Sequence, residues 1–147
     1  MKVLIINGPN LNMLGRREPD VYGSQPFEPY LHTLADMFPQ VELRYIQSNS
    51  EGDIIDALQQ ALIGPDTQVA DGVVLNAGAY THYSYAIADA IRAIAPLPVI
   101  EVHISNTANR EDFRRKSVIA PVCKGSVSGF GLFSYELAIR GLLSGMR

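Results

Sequence analysis

The sequence predicts an α/β fold, a doubly wound five-stranded parallel sheet in the order 2-1-3-4-5 with helices on both faces. Three observations predict it. Apolar, β-branched runs such as VLII (3–6) and GVVL (72–75) lack alternating polar residues, as strands covered on both faces do. Amphipathic segments of helical period stand between such runs. Strand and helix then alternate five times, and right-handed crossovers return each helix onto a parallel sheet. With 147 residues, 47% of them hydrophobic, the chain has the length and apolar content of a single domain, 1–147.

VLII is stopped by Asn7-Gly8-Pro9-Asn10, so the first strand runs into a turn. The stretch 9–26 is long for a connection in so small a domain, and its glycines and prolines suit a lid. Over 27–38, Phe27, Tyr30, Leu31, Leu34, Ala35 and Phe38 recur every three to four residues before Pro39, which predicts the first long helix. VELRYIQ (41–47) alternates, as a half-covered strand does. Ser50 and Asp53 form a loose capping pattern ahead of IIDALQQALIG, where Gly64-Pro65 ends the second helix. GVVLNAG (72–78) repeats the first strand's design. A helix over 83–95 shows Ala86, Ile87, Ala90, Ile91 and Ile94 on one face and stops before Pro96. VIEVHIS (99–105) is the fourth strand, a short helix is expected near 111–115, CKGSVSGFG (123–131) is a glycine-rich fifth strand, and SYELAIRGLLSG (134–145) is the closing helix. This alternation matches the flavodoxin-like topology.

Charge removes several partner classes. The net charge is −3, and the twelve Lys and Arg are scattered apart from Arg110, Arg114, Arg115 and Lys116, so no basic stripe for nucleic acid is present. Cys123 is the single cysteine, which fits a reducing compartment and reads as a small buried hydrophobe. The apolar run in MKVLIINGPN is too short for a signal peptide, and no stretch approaches the length of a membrane span. A soluble cytoplasmic protein without membrane or nucleic-acid partners is expected.

In open α/β sheets ligands sit beyond the carboxyl ends of the strands, where strand order reverses. Here that point lies between strands one and three. Strand one ends in Asn7 and Asn10, strand three in Asn76 followed by Tyr80-Thr81-His82, and strand four delivers Glu101, His103 and Ser105. Asn and Gly also simply make turns, and that reading serves Asn7 or Gly78 taken alone. Glu101 and His103, two apart on a strand, share a face, so the carboxylate can orient or charge the imidazole; a buried pair satisfying itself is the alternative.

GRREPDVYG (15–23) sets Arg16 and Arg17 just ahead of Tyr22. Lowering a phenol's pKa by about two units from about 10 requires roughly 2.7 kcal/mol in favour of the phenolate. One guanidinium about 4 Å away supplies on the order of 4 kcal/mol before screening. Tyr22 is therefore a candidate base, although a solvated loop with an anchoring tyrosine would read the same. Metal-ligand spacing is absent, GPNLNMLG and GFGLFS lack a dinucleotide or phosphate fingerprint, and no G-x-S-x-G occurs, so no cofactor or metal is expected. A phenolate base, an imidazole acid and arginines suggest proton abstraction beside a carbonyl in a small, hydroxylated anion, followed by loss of water. A flavodoxin-like binding module would instead require a Ser/Thr-rich phosphate loop where NGPNLN stands. A receiver domain would require acids where Asn7, Asn10 and Asn76 stand.

INGPNLNMLGRREPDVYG, LNAGAYTHYSYAIADAI, IEVHISN and REDFRRKSVIAPVCKGSVSGFG, in that order, resemble type II 3-dehydroquinate dehydratase, over about residues 3 to 140. The resemblance implies trans-like loss of water from 3-dehydroquinate to give 3-dehydroshikimate in the shikimate pathway, by way of an enolate and without cofactor. By residue matching it implies Tyr22 as base, Arg17 as the cation that favours its phenolate and closes the lid, His103 as acid, Glu101 as its support, and Asn10 as holder of a water at the enolate oxygen. Asn76, His82, the backbone at Ile104 and Ser105, and Arg114 would bind substrate. Asp89 would reach a neighbouring subunit's site, within a dodecamer of four trimers. Arg16 has no matched role. Tyr83, Tyr85 and Ala88 depart from residues common in relatives and bear on the subunit contact, whereas Met13 is a near-isosteric change in the lid.

Overall fold

The structure, a computed structural model, describes residues 1–16, 20, 26–64 and 70–145. Its strands are β1 (Lys2–Asn7), β2 (Glu42–Gln47), β3 (Gly72–Asn76), β4 (Val99–His103) and β5 (Gly125–Ser128), all parallel and paired in the order β2-β1-β3-β4-β5. That is the order the alternation predicts. The helices include α1 (Phe27–Met37), α2 (Glu51–Leu62), α3 (Tyr85–Ala93), α4 (Asp112–Arg115) and α5 (Phe133–Gly145).

The two-residue period of β1 explains why its sequence shows no polar alternation. Leu4 and Ile6 join Leu58 of α2 and Ile87 and Ile91 of α3 in one core, while Val3 and Ile5 join Leu34 of α1 and Tyr135 and Ile139 of α5 in another. Both faces of the sheet are covered. At the edge, β2 shows the predicted alternation, with Glu42, Arg44 and Ile46 exposed and the intervening residues half-buried.

Helix starts follow the hydroxyl signals. The Ser50 hydroxyl accepts from the Asp53 amide at 3.4 Å, and the Ser84 hydroxyl accepts from the Ile87 amide at 3.1 Å, each satisfying an orphan donor of a first turn. Ser84 also donates to the Glu51 carboxylate at 2.6 Å, tying α3 to α2. Because Ser84 caps it and residues 78–82 form a 3₁₀ turn, α3 is shorter than the predicted 83–95. β5 is likewise shorter than 123–131. A 3₁₀ turn at Ala120–Val122 delivers it, and Gly129 and Gly131, with φ of 95° and 61°, lead the chain out of the sheet.

Where strand order reverses, the loops leaving β1 and β3 are laced together. The Gly8 amide donates to the Asn76 carbonyl at 2.7 Å, and a Cβ on Gly8 would stand 2.7 Å from the Ala77 carbonyl oxygen, so only glycine fits the approach. Gly78 adopts φ +59° directly against Pro9. No helix among the described residues is long and apolar enough to cross a membrane.

Candidate active site

A cleft opens at this switch point, beyond the carboxyl ends of β1, β3 and β4. Asn10, Asn76, His82, His103, Ile104, Ser105 and Arg114 line it, together with Thr107 and Arg110. Seven residues singled out in the sequence therefore meet around one space, brought there by four different loops and strand ends.

Side-chain direction alternates along the fully buried β4, and this places its chemistry. Ile100 and Val102 enter the core with α1 and α5, while Glu101 and His103 project to the opposite face. Glu101 is 1% exposed and His103 9%. The His103 Nε2–H donates to Glu101 Oε1 at 2.8 Å, which leaves Nδ1 as the uncommitted ring nitrogen. The hydroxyls of Ser117 and Ser126 donate to the same carboxylate, at 2.7 Å to Oε1 and 2.6 Å to Oε2. Burial pushes the Glu101 carboxyl up, but the hydrogen bond and charge of His103 and the two serine hydroxyls outweigh it, so Glu101 titrates below the usual carboxylate range.

His82 comes from the turn after β3, and its ring stacks on His103 with centroids 6.3 Å apart and planes 20° apart. Because a carbonyl can only accept, the 2.7 Å contact of His82 Nδ1 with the Lys116 carbonyl puts the N–H on Nδ1 and leaves Nε2 free. Burial first, then the neighbouring His103 and Arg114, lower the His82 pKa against the opposing Lys116 carbonyl and Glu101. A neutral imidazole results near neutral pH.

On the opposite face of the sheet, Asn7 and Asn76 stand side by side in register. The Tyr135 hydroxyl, from α5, donates to Asn7 Oδ1 at 2.8 Å and accepts from Asn76 Nδ2 at 2.9 Å. Asn76 Oδ1 accepts from the Gly78 amide at 3.2 Å, so the amide orientation is set on both sides. Asn10 sits at the cleft with φ 69°, its N–H donating to the side chain of Asn49 at 3.1 Å. Left-handed backbone of this kind is tolerated by Asn better than by most residues.

The far wall is cationic. Arg110 donates to the Ser105 hydroxyl at 3.2 Å, and Glu111 pairs with Arg114 at 2.9 Å and with Arg110 at 3.5 Å. Asp89 does not line this cleft; it is exposed on α3 and paired with Arg92 at 2.8 Å. Tyr83 and Tyr85 are exposed and Ala88 is buried. Tyr22 and Arg17 lie outside the described residues. The sequence reading overlooked Arg110 as a cleft residue, seeing only a basic cluster, because Arg110 lies ahead of the helix that carries Arg114 and no helical period points its side chain. It also overlooked Ser117, Ser126 and Tyr135, which no local pattern marks. Among the described residues no group of three His, Cys, Asp or Glu could hold a metal ion.

A doubly wound sheet whose ionisable side chains converge on a cleft at the switch point is laid out as an enzyme for a small molecule. Residues 1–143 match the family model described as dehydroquinase class II. The chain belongs to this family of hydro-lyases. It is 52% identical over 143 residues to the 3-dehydroquinate dehydratase of Caldicellulosiruptor saccharolyticus, covering 96% of this chain and 95% of the relative. It is 54% identical over 148 residues to that of an Exiguobacterium species, covering 100% and 97%. Among solved structures, the type II dehydroquinase of Butyrivibrio crossotus superimposes with a TM-score of 0.92 at 48% identity, covering 98% of each chain.

Proposed function

We propose that this enzyme dehydrates 3-dehydroquinate to 3-dehydroshikimate, as a step of the shikimate pathway, through an enolate. Tyr22 as phenolate, favoured by Arg17, takes the proton from the carbon beside the ketone, and the C–H electron pair passes into an enolate whose oxygen is met by a water on Asn10. The enolate then re-forms the carbonyl, a carbon–carbon double bond forms, the bond to the hydroxyl breaks, and His103 gives that hydroxyl a proton so that water leaves. Tyr22 has gained one proton and His103 has lost one. Return of that proton through solvent resets the site.

The observation that carries this reading is His103 on the cleft wall, backed by buried Glu101, with Nε2–H committed to the carboxylate and Nδ1 free for the leaving hydroxyl. Arg114 and Arg110 supply charge for the substrate carboxylate, and Asn76, His82 and the backbone at Ile104 and Ser105 supply partners for its hydroxyls. No cofactor enters the scheme. Asp89 contributes to a neighbouring subunit's site in a trimer, four of which make a dodecamer, and the protein works in the cytoplasm.

Purified protein mixed with 3-dehydroquinate and a chelator should develop the ultraviolet absorbance of a conjugated enone, and Tyr22→Phe should bind substrate yet lose most of that signal. Absence of the enone would overturn the assigned reaction. Full activity of Tyr22→Phe would remove the tyrosine from it.

A further inference from the structure

Resting on the reading of His103 as acid and Glu101 as its support, we propose that Ser117 and Ser126 are positioning residues that hold Glu101 as a carboxylate aimed at His103. Glu101 is 1% exposed, and a charge so placed persists only when hydrogen bonds replace its lost hydration. Three donors do so. Oε1 accepts from His103 and Ser117, and Oε2 accepts from Ser126 at 2.6 Å.

Each serine is committed to donating by its place in the fold. The Ser117 oxygen already accepts the Ala120 amide at 2.9 Å, so its proton is left for Glu101. Ser126 lies directly opposite Glu101 in the β4–β5 register, on the same face of the sheet. Ser117 also directly follows Lys116, whose carbonyl fixes the His82 ring, and Val118 donates to the Thr81 carbonyl at 2.9 Å. Residues 116–118, which leave the helix carrying Arg114, therefore hold both imidazole systems at once.

Among the described residues, the ionisable groups whose fields bear on Glu101 are His103, His82 and Cys123. Arg114 bears on His82. Burial, with Glu101 adding, pushes the Cys123 thiol up to about 12, so it stays neutral and places no second negative charge beside Glu101. Oε2 depends on Ser126, since His103 and Ser117 both serve Oε1.

The test uses the full-length enzyme with Ser117→Ala, Ser126→Ala and the matching Ser→Thr variants, each also in a Glu101→Gln background. Two readouts are taken across pH: kcat and KM, and the carboxyl stretch of Glu101 in infrared spectra differenced against Glu101→Gln. Each alanine variant is expected to protonate Glu101 at higher pH and to lower kcat about tenfold on the acidic side of the optimum, the worth of one charge-assisted hydrogen bond, with KM within about twofold. Threonine, which keeps the hydroxyl, should restore both readouts. In the Glu101→Gln background the alanine changes should add no loss.

An unmoved carboxyl titration in both alanine variants, equal loss in the threonine variants, or additive loss beside Glu101→Gln would overturn the proposal. A shifted titration with an unshifted rate profile would instead sustain the positioning role and remove His103 from the acid's part. Should Ser126→Ala not fold, Ser126→Cys, a weaker donor, should give an intermediate shift, and no shift in it would count against the proposal.

Discussion

On one face of the sheet, at its carboxyl end, Asn7, Asn76 and Tyr135 form a buried cluster of amides and a phenol; on the other, Glu101, His103, Ser117 and Ser126 form a buried cluster around a charge. Both are built by the same device, a polar residue placed at the end of a strand whose side chains alternate between two cores. They differ in what titrates. Burial drives the Tyr135 phenol far above its ordinary range, so that cluster stays neutral and serves as a brace that fixes the Asn76 amide. The other cluster keeps a carboxylate ionised next to an imidazole, which is the arrangement acid–base work requires.

Breaking the charged cluster should cost catalysis, and breaking the neutral one should cost stability. The largest effect is expected from His103→Ala, with kcat lowered about 10²- to 10⁴-fold in a protein that still folds, although loss of the partner of buried Glu101 lowers its melting temperature as well, checked by steady-state kinetics beside calorimetry. Wild-type turnover in that variant would reassign the acid. Next in size, Tyr135→Phe leaves Asn7 Oδ1 and Asn76 Nδ2 without their partner in a fully buried setting, and should destabilise by about 1–3 kcal/mol in urea unfolding. If stability is unchanged, the phenol is not a brace.

The smallest effect sharpens the comparison through pH. Glu101 titrates lower in the folded protein than a free carboxyl, so its contribution is fully present above the unfolded value of about 4.3 and disappears as pH falls through the folded value. Tyr135 has the opposite sign: its raised phenol contributes below the unfolded value of about 10 and is lost as pH rises through the folded one. Glu101→Gln should therefore flatten the acid side of the stability curve and leave the alkaline side alone, with Tyr135→Phe doing the reverse. Identical curves for the two variants would dissolve the distinction.

How the site could be read differs from residue to residue. Asn76, His82, His103 and Ser105 stand at strand ends or just beyond them, and a ligand at a topological switch point must meet such positions, so their gathering in the cleft was visible in the one-dimensional pattern. Arg110 was not, because it lies between a 3₁₀ turn and α4, where no period assigns a direction to its side chain. The fifth strand is shorter than the glycine-rich run 123–131 suggests, because Gly129 and Gly131 carry positive φ and end it.

Local periods of 2 and 3.6 are enough to set the alternation of strand and helix, the two-sided burial of β1 and β3, and the placing of Glu101 and His103 on one face. Those periods leave open that Ser126 stands opposite Glu101, that Tyr135 bridges two asparagines 69 residues apart, and that the Lys116 carbonyl selects the tautomer of His82, all of which arise in the folded chain. The reason is physical: a period fixes which face a side chain takes, but strand register and helix docking fix which distant group it meets there.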